Sequence, residues 1–91
     1  MNVTVKNMTS PRSGRAVENQ FIIYTPRATC FQSYDTLIAI RTATGVTLDT
    51  DWDCSVTTGK YRNRFLGETK KETQRKIDAG IYKVVDLNER S

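Results

Sequence analysis

The chain predicts an α+β fold, in which a curved antiparallel β-sheet of four to six strands is completed after two short helices. Three observations support this. The first half alternates apolar and polar residues between turn-forming clusters, the apolar period becomes helical after Trp52, and a short β-branched run returns near the C-terminus. The length and the even spread of the eight aromatic residues predict one domain over residues 1–91.

The strands of the first half are bounded by Gly, Pro and Ser residues. The predicted strand runs are residues 2–8, 17–25, 29–41 and 46–48. Within 29–41 the alternation changes phase, so we expect a bend or bulge near Ser33-Tyr34-Asp35. Thr44-Gly45 is a predicted hairpin turn.

Two helices follow. Ser55 or Thr57 can cap the first, which is predicted to end at about Leu66 with Gly67 as its stop. The second begins at Thr69, where Glu72 three residues later matches a capping box, and it ends at Gly80. Residues 81–85 are the last predicted strand, and 86–91 form a polar tail.

The predicted core combines apolar residues of the strands with an aromatic stripe at helical spacing. Its members are Phe21, Ile23, Phe31, Leu37, Ile38, Trp52, Tyr61 and Phe65.

The positive charge is concentrated in one segment. Residues 60–76 hold seven basic and two acidic residues, net +5, whereas the rest of the chain holds seven basic and eight acidic residues, net −1. A basic helical face of this kind is a candidate surface for phosphate groups or for an acidic protein. The predicted contact residues are Lys60, Arg62, Arg64, Lys70, Lys71, Arg75 and Lys76, with Tyr61 at the edge. Solubility alone is the competing explanation for such charge.

No pattern indicates catalysis. Asp49, Asp51 and Asp53 alternate and could converge on a hard cation, but no calcium-loop pattern follows, and acidic residues before a helix are favourable for the helix itself. Glu68 and Lys70 have the Glu-x-Lys form of some metal-dependent nucleases, which leaves such a nuclease as a minor alternative. We expect no catalytic residue, metal or cofactor.

Histidine is absent, so a serine or cysteine nucleophile would need another base. Cys30 and Cys54 are expected to be reduced and buried, with a single disulfide as the alternative. The chain shows neither a signal peptide nor an apolar run long enough for a membrane span, which predicts a cytoplasmic protein.

Three short segments together carry a resemblance. They are Asn19-Gln20-Phe21, Phe31-Gln32-Ser33-Tyr34 and the run from Trp52 to Leu66, which reads W-x-C-S-x-T-T-x-K-Y and then F-L. This pattern resembles a small uncharacterised protein family of tailed bacteriophages and bacterial mobile elements, over most of residues 19–87. Cys54 departs from it, because the family tends to have Tyr there, and this weakens any essential thiol.

The resemblance implies a phage protein that acts on host machinery. Together with the basic segment, it leads us to expect a non-enzymatic inhibitor of a host defence factor, of the ribonuclease-toxin or CRISPR-effector type, that binds the factor, its nucleic acid or both. A free-standing RNA- or DNA-binding regulator of phage or host gene expression is the alternative. A homodimer formed by pairing of sheet edges is a further expectation.

Overall fold

The computed structural model describes residues 2–89 and has an α+β architecture with an open six-stranded sheet and two helices. In chain order the elements are β1 (Thr4–Thr9), β2 (Ala16–Tyr24), β3 (Ala28–Ser33), β4 (Thr36–Thr42), β5 (Gly45–Asp49), α1 (Val56–Leu66), α2 (Lys70–Asp78) and β6 (Lys83–Val85). The prediction of an α+β fold with both helices before the last strand is confirmed.

The sheet follows the order of the chain from β1 to β6. The first five strands form an antiparallel meander, and β6 pairs with β5 in parallel. The expectation of an entirely antiparallel sheet is therefore wrong at this last pair. The reason is the connection: α1 and α2 carry the chain back along the sheet, which is the long crossover that a parallel pair requires.

The predicted single run over residues 29–41 is two strands. A two-residue turn at Tyr34 and Asp35 separates β3 from β4, with Tyr34 in the left-handed region at φ 57°. The pairing then slips by one residue, because Phe31 pairs with Ala39 but Gln32 pairs with Leu37. A full hairpin turn and a bulge in β4 thus explain the change of phase that the sequence shows.

Both helices begin and end where the sequence predicts, to within two residues. The Ser55 side chain caps α1 by accepting a hydrogen bond from the backbone N–H of Thr58, and Gly67 ends α1 at φ 69°. Thr69 and Glu72 form the complete capping box of α2. The free backbone groups at these helix ends are hydrogen-bonded by residues nearby in the sequence, so the ends can be predicted without knowing the tertiary structure.

The core lies between α1 and one face of the sheet. Its buried apolar members are Met8, Phe31, Ile38, Ala39, Leu48, Tyr61, Phe65 and Tyr82. The rings of Phe31 and Phe65 stack with centroids 5.8 Å apart. Phe21, Ile23 and Leu37 were predicted in the core but are only half-buried and do not pack against it. Strand pairing places them on the opposite face of the sheet, as described below.

Candidate basic binding surface

Lys60 and Arg64 are exposed on α1, one helical turn apart. They lie over the ring of Tyr61, with the Lys60 Nζ 5.6 Å and the Arg64 guanidinium carbon 5.8 Å from its centroid. Arg64 also donates a hydrogen bond to the carbonyl oxygen of Thr9, at the end of β1. Tyr61 itself is 5% exposed, so it belongs to the core and does not offer its ring to a nucleic-acid base.

Lys70, Lys71 and Arg75 are exposed on α2, where they line a shallow depression together with Gln74 and Asp78. All three belong to the predicted contact residues, and the structure exposes them beside one another. Lysine and arginine stems beside a shallow depression offer both alkyl contact and positive charge to a partner.

Within residues 2–89, the Lys70 ammonium is the one member of this group that is held in an ion pair. Its Nζ lies 2.6 Å from Oδ2 of Asp53, just before α1. The hydrogen bond from Lys70 holds the pKa of Asp53 below its ordinary value, against the effect of burial, and Arg62 acts in the same direction. Asp53 therefore ties the start of α2 to the segment that leads into α1.

The side chain of Arg62 is buried, with 1% of its surface exposed. Its Nη1 donates to the carbonyl oxygen of Trp52 at 2.7 Å and lies 3.3 Å from Oδ1 of Asp53, and its Nη2 donates to Oδ1 of Asn63 at 2.9 Å. The guanidinium also lies 4.8 Å from the centroid of the Trp52 ring. Arg62 therefore holds the Trp52 turn against α1, and we leave it out of the binding surface.

Lys76 is held in a polar cluster around Glu68, whose side chain is 4% exposed. Glu68 accepts hydrogen bonds from Lys76 Nζ at 2.7 Å, from Thr73 Oγ1 at 2.5 Å and from the Tyr82 hydroxyl at 2.8 Å. Burial alone would raise the pKa of Glu68, but these hydrogen bonds outweigh burial and lower it. The same contact with Glu68 raises the pKa of Lys76. Lys76 thus serves mainly to join α2 to the segment before β6.

The seven predicted contact residues therefore divide into two groups. Five are exposed and form what we call the helix surface: Lys60, Arg64, Lys70, Lys71 and Arg75. Over residues 2–89, four of these five, all except Lys70, lie in no ion pair. The interior roles of Arg62 and Lys76 could not be predicted from sequence, since their partners lie as far as ten residues away along the chain.

The acidic residues weighed as metal ligands do not converge. The carboxylate of Asp49 is fully buried and accepts backbone N–H groups, Oδ2 from Asp51 and Oδ1 from Leu87. Asp53 is paired as described, and Glu68 has both oxygens occupied, whereas the Lys70 ammonium contacts Asp53 rather than Glu68. Within residues 2–89 no three His, Cys, Asp or Glu side chains are placed to share a metal ion.

Both cysteines are free thiols. Cys30 is half-buried in β3, and burial raises the pKa of its thiol. The expectation that Cys54 is buried is wrong: it is exposed at the start of α1, with its Sγ 3.6 Å from Oγ1 of Thr58. Trp52 packs against the core and does not cover Cys54.

The fold and the helix surface together define a small α+β protein whose two helices carry exposed cations on one side of an open sheet. The chain belongs to DUF8033, described as a family of unknown function, whose model matches residues 3–80. Comparison with curated proteins and comparison with solved structures each returned no match. Neither helix of the described chain has the length and apolar character needed to cross a membrane.

Proposed function

We propose that this protein is a non-enzymatic phage accessory protein of the host cytoplasm that inhibits a host defence factor by binding it, its nucleic acid or both. The factor would be of the ribonuclease-toxin or CRISPR-effector type, and the helix surface would make the contact. The observation that carries the proposal is the set of four exposed cations, Lys60, Arg64, Lys71 and Arg75, that lie in no ion pair within residues 2–89.

Such a surface favours a partner with dense negative charge. Cations that lie in no ion pair within residues 2–89 keep most of their attraction for an incoming phosphate or carboxylate, and each phosphate contact releases a counterion. Lys71 and Arg75 are four residues apart on α2 and so project from the same side of the helix. Because the Tyr61 ring is buried, the surface is suited to the backbone of a nucleic acid or to an acidic protein rather than to base stacking. The resemblance to phage and mobile-element proteins supports the biological context.

A charge-reversal experiment with a matched control tests the proposal. The test variant is Lys71→Glu with Arg75→Glu, and the control is Arg12→Glu with Arg15→Glu, two arginines exposed between β1 and β2. Each pair of substitutions lowers the net charge from +4 to 0, so the two variants differ only in where the charge is removed. Tagged wild type and both variants are incubated with bacterial lysate, with and without nuclease, and bound protein and nucleic acid are identified.

The proposal predicts a protein partner that is retained by wild type and by the control, and lost from the α2 variant. Loss of that partner after nuclease would indicate a complex bridged by RNA or DNA. Equal retention by both variants would contradict the helix surface as the contact. When the three proteins are expressed in a strain that carries the captured factor, wild type and control should restore phage plating equally, and the α2 variant should restore it less.

The alternative function, a free-standing regulator that binds RNA or DNA, makes a different prediction. Purified protein would then bind bare nucleic acid, with an affinity that falls steeply with salt concentration and falls further in the α2 variant. The minor alternative, a metal-dependent nuclease, requires Mg²⁺-dependent cleavage that Glu68→Gln abolishes. The occupied carboxylate of Glu68 does not favour it.

A further inference from the structure

The face of the sheet that points away from the helices carries a row of side chains that is apolar across its first four strands. The strand pairing aligns one residue from each of the six strands: Val5, Ile23, Cys30, Ile40, Thr47 and Lys83. Residues paired across neighbouring strands point to the same side, so these six side chains share one face. We call this the open face.

Further apolar side chains, Phe21 and Leu37, lie next to this row. Phe21 and Leu37 both pair with Gln32, and Phe21, Ile23, Val5 and Gln32 line a common depression. The aliphatic and aromatic residues of the open face do not pack against the core. Phe21, Ile23, Leu37 and Ile40 are half-buried, whereas Val5 is 57% exposed.

This composition is unusual for a solvated face. An antiparallel sheet with one face in water normally alternates, with apolar residues toward the core and polar residues toward solvent. Here the first four positions of the row are Val5, Ile23, Cys30 and Ile40, and the only charged position is Lys83 at the far edge. A patch of this kind indicates a surface that is covered by another molecule.

The area of the open face matches the requirement of a small dimer. Six strands span about 24 Å across the sheet, and four of them (β1, β3, β4 and β5) are five to seven residues long and extend about 17–23 Å, so one copy would bury roughly 400–550 Å². Two copies would bury roughly 800–1,100 Å² in total, which is at the lower limit for a specific interface and predicts weak association. One copy would contribute roughly 7–9% of its 6036 Å² of accessible surface.

We propose that the open face is covered by the open face of a second copy of this chain, in a two-fold symmetric dimer whose two sheets pack face to face. Sheets pack in this way about 10 Å apart through apolar side chains from both inner faces. A nearly uncharged face is self-complementary without any unpaired charge at its centre, whereas a nucleic acid would meet no cation there. The helix layers lie outside, so both helix surfaces of the dimer remain accessible.

The test is sedimentation of the full chain over protein concentrations of about 1–500 µM, a range that suits an interface of this size. Wild type is expected to shift from the 10.4 kDa of one chain toward twice that mass. Ile23→Lys should hold the protein at the monomer mass over the whole range. Val56→Lys is the matched control, because Val56 is an apolar residue 91% exposed on α1, away from the open face, and this variant should dimerise as wild type does.

A second variant tests whether loss of the dimer can be separated from loss of the fold. Thr47→Glu places a carboxylate opposite Lys83 on the neighbouring strand, where it is favourable in the monomer but would be buried in the dimer. Circular dichroism should show a native fold for this variant, and sedimentation should show a monomer. A folded Thr47→Glu protein that dimerises like wild type would overturn the proposal and point to pairing at the β1 edge instead.

Thiol labelling gives an independent readout. In a Cys54→Ser background, Cys30 on the open face is the remaining thiol, and its reaction with a maleimide should slow several-fold when the protein is concentrated from about 5 to 500 µM. Equal labelling rates, or a wild-type mass that stays at one chain throughout, would refute the dimer. Neither result bears on the helix surface, so this inference can fail while the proposed function stands.

Discussion

Replacement of Arg62 by Met should destabilise the protein strongly, although a charged residue on a helix is usually a surface residue. The change removes the donor to the Trp52 carbonyl oxygen, the donor to Asn63 and the cation over the Trp52 ring. A buried acceptor left without its donor costs about 1–3 kcal/mol, and a cation–π contact contributes about 0.5–1 kcal/mol. Asp53 keeps Lys70 as a partner and is one-third exposed, so we discount its contribution and expect a total loss of about 2–4 kcal/mol.

Urea unfolding followed by circular dichroism measures this loss. Arg75→Met is the matched control, since Arg75 is exposed on α2, and its unfolding free energy should change by no more than about 0.5 kcal/mol. Arg62→Lys should lose an intermediate amount, because an ammonium cannot reproduce the planar fork that reaches both acceptors. If Arg62→Met and Arg75→Met proved equally stable, Arg62 would not make these stabilising contacts and would again be a candidate contact residue of the binding surface.

Three further changes test other parts of the fold by the same unfolding assay. Gly59→Ala should stabilise the protein by about 0.5–1 kcal/mol, since Gly59 lies within α1 and an added Cβ would meet its nearest atoms at 3.6 Å. Gly67→Ala should destabilise the protein by about 1 kcal/mol, because residue 67 has a positive φ. A Gly67→Ala protein more stable than Gly59→Ala would contradict the assigned backbone. Glu68 has a lowered pKa in the folded state, so its contribution to stability is present above the ordinary carboxyl pKa of 4.5 and is lost as pH falls through the folded value. Glu68→Gln should therefore flatten the decline of the unfolding free energy between about pH 6 and pH 3. A decline as steep as that of wild type would exclude this role. Gln20 is fully buried and its amide atoms have no hydrogen-bond partner within residues 2–89, so Gln20→Met should raise stability by about 1 kcal/mol, and a loss of similar size would show that the amide is satisfied in solution.

Much of the local structure was predictable because local chemistry decides it. The change from a two-residue to a helical period marks the helices, and Ser55, Gly67 and Thr69 cap them as predicted. The extent of the single domain, the curvature of the sheet and the cytoplasmic location stay predictions. Exposure of Lys60 and Lys71 also agrees with the helical period.

The errors share a cause, which is that strand pairing decides which face a residue occupies. The bulge in β4 shifts the pairing, so Ile38 and Ala39 both enter the core while Leu37 faces away from it. Phe21 and Ile23 are as apolar as Phe31, and nothing in their composition distinguishes the open face from the core. The parallel pairing of β6 likewise depends on the path of the helices across the sheet.

The sequence by itself determined the class of fold, the helix ends and the concentration of positive charge between residues 60 and 76, because periodicity, capping and charge are properties of neighbouring residues. Only the tertiary structure decided which of these cations stay exposed and outside any ion pair within residues 2–89. Arg62 and Lys76 find carbonyl and carboxylate partners in other segments, whereas Lys71 and Arg75 remain exposed. The same long-range pairing decided that one face of the sheet packs on α1 and the other is left apolar and open, because each strand's register is set by its neighbours rather than by its own residues.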